Sequence, residues 1–215
     1  MSVKEPSNPF DRIPPYRIVQ DFLGNDLIER LLEHAKVREP EFVSTKVGNT
    51  EGHLDTEVRI SRVLPDFGVL RTELELRFKG AMPEAIAGLR LTPFELIRCE
   101  IELVAHNDGA FYKRHIDTQT EIPNAETQRV LTGVLYFYAL PKGFSGGQLR
   151  LYSCSLSGEN FIDIEPVRDQ LVLFPAWAPH EVLPVSCPSG EFAQSRFAVN
   201  CWYRRANPHQ AIAHE

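Results

Sequence analysis

The 215-residue sequence predicts a mainly β domain, an antiparallel barrel or sandwich with helices packed outside it. Three observations carry this expectation. Five strand-like runs crowd the stretch from Phe94 to Tyr203, with no helical pattern between them. Helical periodicity is confined to the chain before Pro93. Sixteen prolines and thirteen glycines are spread along the chain, marking many turns between short elements.

Asn25-Asp26 precedes the apolar series Leu27, Ile28, Leu31, Leu32 and Ala35, and Glu29 stands where a capping box would place it. The spacing predicts a helix from Asp26 to Val37. Arg38 to Glu57 is mostly polar, holds Gly48, Asn49 and Gly52, and keeps no periodicity, so a long loop is expected. Its length and its place ahead of the strands make it a candidate lid. Val58 to Leu64 is a short apolar run ended by Pro65. Val69, Leu70, Leu74 and Phe78 predict a second helix, and Pro83 is expected to open a further short helical turn. Strands are predicted from Phe94 to Val104, Val130 to Ala139, Gly147 to Tyr152, Gln170 to Phe174 and Arg196 to Tyr203. The polar tail from Ala206 to Glu215 is expected to fray.

Length suits one domain over residues 1–215, with 1–93 as helical support and lid loop and 94–205 as the β core. Hydrophobic residues at 43% and charged residues at 24% exclude a disordered or coiled-coil chain. A net charge of −6 argues against a dedicated binder of nucleic acid or anionic membrane. No apolar run reaches the roughly eighteen residues of a membrane span, so neither kind of partner is expected. The N-terminus lacks the apolar core of a secretory signal, and Cys99, Cys154, Cys187 and Cys201 form no CxxC pair. A cytoplasmic protein with reduced thiols is expected.

The chemistry begins at His115-Ile116-Asp117, because alternate residues of a strand share a face and an imidazole and a carboxylate two apart can grip one metal. A second such triplet, His53-Leu54-Asp55, falls in the long loop and reads as solvated loop residues. His180 is the third candidate ligand, delivered where a buried run breaks at Pro175 and Pro179. Two histidines and one carboxylate leave coordination positions open, as suits ferrous iron that takes a cosubstrate and O2 together. The competing reading makes His180 a hydrogen-bonded strand-end histidine. In Ser195 to Tyr203, alternation puts Arg196, Ala198, Asn200 and Trp202 on one face and Phe197, Val199, Cys201 and Tyr203 on the other. An arginine opening so apolar a strand needs a carboxylate, either an internal Asp or Glu or the distal end of a dicarboxylate ligand.

In chain order the blocks are Gly109-x-Phe-Tyr-Lys-x-His115-x-Asp117, Leu131-Thr-Gly-Val-Leu-Tyr-Phe-Tyr138, Gly146-Gly-Gln-Leu-Arg-Leu-Tyr152, Pro179-His180-Glu-Val182 and Arg196-Phe-Ala-Val-Asn-Cys-Trp-Tyr203. From Cys99 to Tyr203 the chain resembles the Fe(II)- and 2-oxoglutarate-dependent dioxygenases, in the prolyl 4-hydroxylase-like branch that includes the hypoxia-sensing enzymes. The resemblance implies a double-stranded β-helix core, jelly-roll or cupin-like, with the N-terminal helices outside. It implies Fe(II) on His115, Asp117 and His180, 2-oxoglutarate held through its distal carboxylate by Arg196, O2 as cosubstrate, and ascorbate as an accessory reductant.

Further positions carry over from the same resemblance. Tyr136 corresponds to a hydroxyl donor to 2-oxoglutarate, against the alternative of a core tyrosine, and Thr132 and Tyr138 are expected on the same side of its strand. Tyr112 either bonds the cosubstrate or packs. His106 takes the seat where many relatives carry a tyrosine, and would replace its hydrogen bond to the cosubstrate. Trp202 matches an inward-facing aromatic near the metal pocket. Arg59-Ile60-Ser61 resembles an Arg-x-Ser element at the substrate mouth, the alternative being a surface arginine. Asn200 stands where a small hydroxyl residue is usual, a change near water or substrate. Asp117, in place of the small residue of related halogenases, favours hydroxylation over chlorination.

The implied activity is hydroxylation of an unactivated C–H bond, with release of succinate and CO2. Its substrate would be proline, another amino acid, a peptide or protein residue, or a small natural product. Two other classes compete. A non-oxidative metal-binding cupin would keep the two histidines and the carboxylate without needing Arg196, and a sensor module on the same fold would lack a ligand or the arginine.

Overall fold

The computed structural model describes residues 9–45, 55–119, 125–155 and 160–207. The strands in chain order are β1 (Arg17–Val19), β2 (Val43–Ser44), β3 (Arg59–Ile60), β4 (Arg62–Leu64), β5 (Arg98–His106), β6 (Phe111–His115), β7 (Thr127–Phe137), β8 (Ser145–Gly146), β9 (Leu149–Tyr152), β10 (Phe161–Ile164), β11 (Gln170–Pro175), β12 (His180–Val182), β13 (Val185–Ser186) and β14 (Arg196–Ala206). The helices are α1 (Asn25–Val37) and α2 (Arg71–Leu89).

A seven-stranded sheet in the order β1-β11-β7-β14-β5-β4-β2 and a five-stranded sheet in the order β10-β9-β12-β6-β3 form the body, and all their strand pairs are antiparallel. The two sheets share a small core in which Val134, Tyr136, Val172, Phe174 and Ala198 of the large sheet meet Leu149, Leu151 and Ile164 of the small one. The opposite face of the large sheet is covered by the helices. Leu103, Leu135, Phe137, Phe197, Val199 and Tyr203 pack there with Leu31 of α1 and with Leu74, Phe78 and Ile86 of α2. Period-two alternation therefore gives each central strand a core face and a cavity face. This is the double-stranded β-helix, with the N-terminal helices outside the sheets as expected.

The five predicted strands all occur, with ends shifted by a few residues: β5 begins at Arg98 and runs on to His106, and β14 continues to Ala206. The remaining strands are two to five residues long, too short to leave a periodic signal. The expected loop from Arg38 to Glu57 carries a 3-10 turn, Glu39–Glu41, and β2, which pairs with β4. Residues 46–54 of the candidate lid, with His53, lie outside the described residues, as does most of the C-terminal tail.

Two expectations about the helices are corrected. Pro83 lies inside α2, which runs on to Leu89. Its ring is solvent-exposed, and the buried stripe Leu74, Phe78, Met82, Ala85, Ile86 and Leu89 outweighs the one backbone bond that proline forgoes. The capping box does not form either. Gly24, at φ +82°, is the N-cap residue and no side chain of its own caps the helix. The carboxylate of buried Asp169, in the turn before β11, accepts the N–H groups of Leu23 and Gly24, each at 2.8 Å, while Glu29 pairs with Arg168 at 2.6 Å. A tertiary contact thus replaces the local cap.

No helix among the described residues is long and apolar enough to cross a membrane. All four cysteines are free thiols.

Asp169→Ala orphans two backbone donors at the start of α1 and is expected to lower stability by about 1–3 kcal/mol. Urea unfolding should register this as a lower midpoint at unchanged slope.

Candidate metal centre and active-site cavity

His115 ends β6, His180 begins β12, and the two are direct cross-strand partners, which sets the imidazoles side by side with ring centroids 4.2 Å apart. Asp117 follows just beyond β6. Its backbone N–H, and that of Thr118, donate to the carbonyl of Ala176 at 2.9 and 3.1 Å, so the turn between β11 and β12 fixes the carboxylate. The ligand-type atoms of His115, Asp117 and His180 all lie within 4.8 Å of one another.

The hydrogen bonds behind these groups aim them. Nδ1 of His115 lies 2.8 Å from the carbonyl of Lys113, and Nδ1 of His180 lies 2.9 Å from the carbonyl of Ala178. A carbonyl only accepts, so both Nδ1 atoms carry the proton and both Nε2 lone pairs point inward, 3.8 and 3.6 Å from the Asp117 oxygens. The Thr132 hydroxyl donates to Asp117 Oδ2 at 2.7 Å. Thr132 accordingly meets the metal-site carboxylate from the cavity wall. Tyr138 lies beyond the end of β7 and packs with Phe144 and Val185, away from the site.

Charge follows the same logic. Burial, aided by His180, pushes His115 down to about 3, so the ring is neutral and ligand-competent at ordinary pH. Burial alone would raise the Asp117 carboxyl, but His180, His115 and the Thr132 hydroxyl together hold it below the usual carboxylate value. One carboxylate and two imidazoles on one side of a site suit a divalent ion with open positions.

The cavity beside this cluster measures about 220 Å³ and is lined from both sheets. Its large-sheet wall is a ladder of facing residues. Arg196 of β14 faces His106 of β5; Ala198 faces Val104 and Tyr136; Asn200 faces Glu102 and Val134; Trp202 faces Glu100 and Thr132. Arg196 is 1% exposed and has no carboxylate partner among the described residues. Its Nη1 donates to His106 Nδ1 at 3.2 Å, while Nε and Nη2 have no partner. Arginine cannot accept, so His106 Nε2 carries the proton, and that buried donor is unpartnered too. The Tyr136 hydroxyl is likewise unpartnered, and the guanidinium carbon stands 4.8 Å from the centre of its ring. Gly147, at φ +69°, makes room for this side chain, since a Cβ there would come within 2.6 Å of Arg196 Cδ.

Burial lowers His106 well below its ordinary value, with Arg196 and Arg59 adding to the effect; burial also lowers Arg196 and raises Tyr136 to about 12. A buried cation ringed by orphaned donors calls for an anion. A dicarboxylate spanning from Arg196 toward the His-Asp-His cluster fits these atoms, and the internal Asp or Glu that the sequence left open is not found there. Toward the mouth, Tyr112 stacks on His115 with centroids 3.6 Å apart, and the Arg59 guanidinium carbon stands 4.6 Å from the centre of the Tyr112 ring. Arg59 donates to Ser61 at 2.8 Å. Trp202 lines the cavity with its Nε1 unpartnered.

Sequence reasoning passed over Glu102, Arg129 and Gln119, all of which line the cavity. Arg129 lies over Trp202 at 3.7 Å and pairs with Glu100, which also takes Arg204 at 2.6 Å. The alternation of Glu100 and Glu102 with Ile101 and Leu103 on β5 was the available signal.

A family model for the 2OG-Fe(II) oxygenase superfamily matches residues 101–204, the stretch that carries the triad and Arg196. Over that stretch the chain is similar to the 2OG-Fe(II) oxygenase superfamily. It is 34% identical over 197 residues to an uncharacterized PKHD-type hydroxylase of Synechocystis, covering 88% of this chain and 63% of that protein. The chain thus spans about 63% of the length of that relative. Among solved structures it resembles a prolyl-4-hydroxylase of Pseudomonas putida, at TM-score 0.65 and 24% identity over 90% of this chain and 94% of the other. A Trichoplax adhaerens prolyl hydroxylase, solved with a peptide of hypoxia inducible factor, matches at TM-score 0.65 and 22% identity, over 94% and 88% of the two chains. These two likenesses establish the shared fold. The superfamily's Fe(II) and 2-oxoglutarate, with O2, are the cofactors that the triad and the Arg196 cradle fit.

Two outcomes follow from the geometry. Thr132→Val, which removes the hydroxyl behind Asp117, should weaken Fe(II) binding by roughly 10-fold or more in anaerobic titration. In the presence of a chelator, stability should fall as pH drops below about 6.5, because unfolding then lets His106 and His115 take protons that their folded sites refuse. The slope should approach about 1.4 kcal/mol per pH unit for each histidine, down toward pH 3 for His115, and chemical unfolding between pH 7 and 4 would show it.

Proposed function

We propose that the protein is an Fe(II)- and 2-oxoglutarate-dependent hydroxylase, acting on an unactivated C–H bond of an amino-acid, peptide or related small substrate. The observation that carries this reading is Arg196, a fully buried guanidinium without a carboxylate partner among the described residues, opening into the same cavity as His115, Asp117 and His180. A non-oxidative cupin gives no reason for such a residue. A sensor module would lack a ligand, and none is missing.

In this reading Fe(II) is held by Nε2 of His115, Nε2 of His180 and a carboxylate oxygen of Asp117. With 2-oxoglutarate and O2 the bound iron supplies the oxidation, in which one oxygen atom enters succinate as CO2 leaves and the other enters the substrate C–H bond. The chain's own residues prepare that event. The Lys113 and Ala178 carbonyls fix the imidazole tautomers, and Thr132 orients the carboxylate. Arg196 binds the distal carboxylate of 2-oxoglutarate, with His106 Nε2–H and the Tyr136 hydroxyl as flanking donors. His106 stays neutral, so it donates one proton in a fixed direction without adding a second positive charge beside Arg196. Tyr112 and Trp202 wall the substrate side, Arg59 and Asn200 supply its polar contacts, and apolar Val134 and Leu149 exclude water. The reaction needs no ascorbate in its balance, and ascorbate enters this reading only as a reductant that restores Fe(II).

We read residues 1–93 as support for the core in a single domain, and the free thiols favour a reducing, cytoplasmic setting.

Anaerobic titration with Fe(II) and 2-oxoglutarate tests the assignment without a known substrate. The parent protein should develop the weak visible charge-transfer band of chelated 2-oxoglutarate. His180→Ala should lose it. Arg196→Met should weaken 2-oxoglutarate binding by roughly 30-fold or more, as expected for removing one side of a buried charge pair. Iron binding without any band would favour the non-oxidative cupin.

A further inference from the structure

The deep end of the cavity is filled by the functions already assigned, but its outer half holds two charges that those functions leave over. Glu102 on β5 faces Asn200 across the strand pair, and neither side chain has a hydrogen-bond partner among the described residues. Along β5, Glu102 lies four residues from His106, or about 13 Å at strand rise. That exceeds the length of a five-carbon dicarboxylate anchored at Arg196, so Glu102 belongs to the substrate side. Burial raises its carboxyl, which Arg59 and Arg129 oppose. Arg129 is already committed to Glu100 and to the face of Trp202.

Arg59 stands on the other sheet, in β3, beside the metal ligands. Its Nε donates to Ser61 and its plane lies over Tyr112, but no carboxylate pairs with it among the described residues. The outer cavity is therefore flanked by one anion and one cation that face the same space without closing on each other. Unpaired charges of opposite sign on facing walls are complemented by a ligand that carries both signs a few bonds apart. A neutral peptide bond satisfies hydrogen bonds there but compensates neither charge.

We propose that Glu102 and Arg59 form a receptor for a zwitterionic α-amino acid, with the ammonium on Glu102, the carboxylate on Arg59, and the side chain directed at the His-Asp-His cluster. Asn200, opposite Glu102, supplies a further polar contact to the amine, and Tyr112 and Trp202 provide the aromatic walls for the aliphatic part. Glu102 is thereby a specificity-determining residue that separates free amino acids from residues inside a chain. This rests on the hydroxylase reading and narrows its substrate class.

The probes are the free L-amino acids, including proline, their N-acetyl amides, and a peptide with internal proline. Each is titrated calorimetrically into the anaerobic protein loaded with Fe(II) and 2-oxoglutarate, and succinate release is then measured in air. At least one free amino acid should bind and stimulate succinate release, and its N-acetyl amide should bind at least about 30-fold more weakly. Glu102→Gln should lose affinity for that amino acid by about 10-fold or more, and Glu102→Asp should recover most of it. Formation of the 2-oxoglutarate band in both variants establishes that they are folded and loaded. Equal or tighter binding of the capped amides or the peptide, no binding by any free amino acid, or unchanged affinity in Glu102→Gln overturns the receptor while the band keeps the hydroxylase reading intact. Absence of the band in the parent protein overturns both.

Discussion

Arg196 brings a permanent positive charge into the interior, on a strand whose other face is Phe197, Val199, Cys201 and Tyr203. A group that cannot lose its proton and has no carboxylate partner among the described residues costs several kcal/mol of desolvation. Its surroundings are arranged around that cost. His106 is held neutral and turned so that its lone pair faces the guanidinium, Tyr136 presents its ring, and Gly147 gives up a side chain to leave room. The strand can carry such a residue because its opposite face is fastened to α2, where the Tyr203 hydroxyl donates to the Phe78 carbonyl at 2.9 Å and the apolar cluster is continuous. Stability is supplied on one side of β14 and used on the other.

The metal-type cluster obeys the same division. None of its three side chains is positioned by itself: two backbone carbonyls set the histidine tautomers and a threonine hydroxyl sets the carboxylate. Lys113 lies in β6, Thr132 in β7 and Ala178 in the turn between β11 and β12, so strands of both sheets and one tight turn hold the geometry. Arg196, Ala198, Asn200 and Trp202 occupy every second position of one strand and share its cavity face. The cavity is therefore graded from an anion-binding end to an aromatic mouth by the pleat of the sheet.

Much of this was legible in the sequence. The His-x-Asp triplet, the proline-bracketed His180 and the alternation from Arg196 to Tyr203 are local patterns; the last survives as β14, whereas Asp117 falls just beyond β6 and is fixed by the Ala176 carbonyl instead of by strand alternation. The helix ends were not legible in the same way. Asp26 and Glu29 offered a capping box, but the helix starts earlier, with Gly24 as N-cap, and a remote carboxylate, Asp169, fixes the Leu23 and Gly24 N–H groups that lead into it. Pro83 is a local signal for a helix start, and the buried stripe of α2 overrode it. Thr132 could be placed on a face by periodicity, but whether it met the cosubstrate or Asp117 depended on where β6 ended relative to β7.

By itself the sequence determined the strand-rich class, the three metal-type ligands and the presence of an unmatched arginine, because each is written within a few consecutive residues whose alternation fixes their faces. Only the tertiary structure decided which remote side chains share the cavity. Glu102 meets Asn200, Arg129 covers Trp202, and Arg59 comes to the metal side of the mouth through strand pairings whose register is set by long-range packing. No pattern along the chain encodes such a pairing, since the partners are brought together by sheets that close only when both faces find their cores.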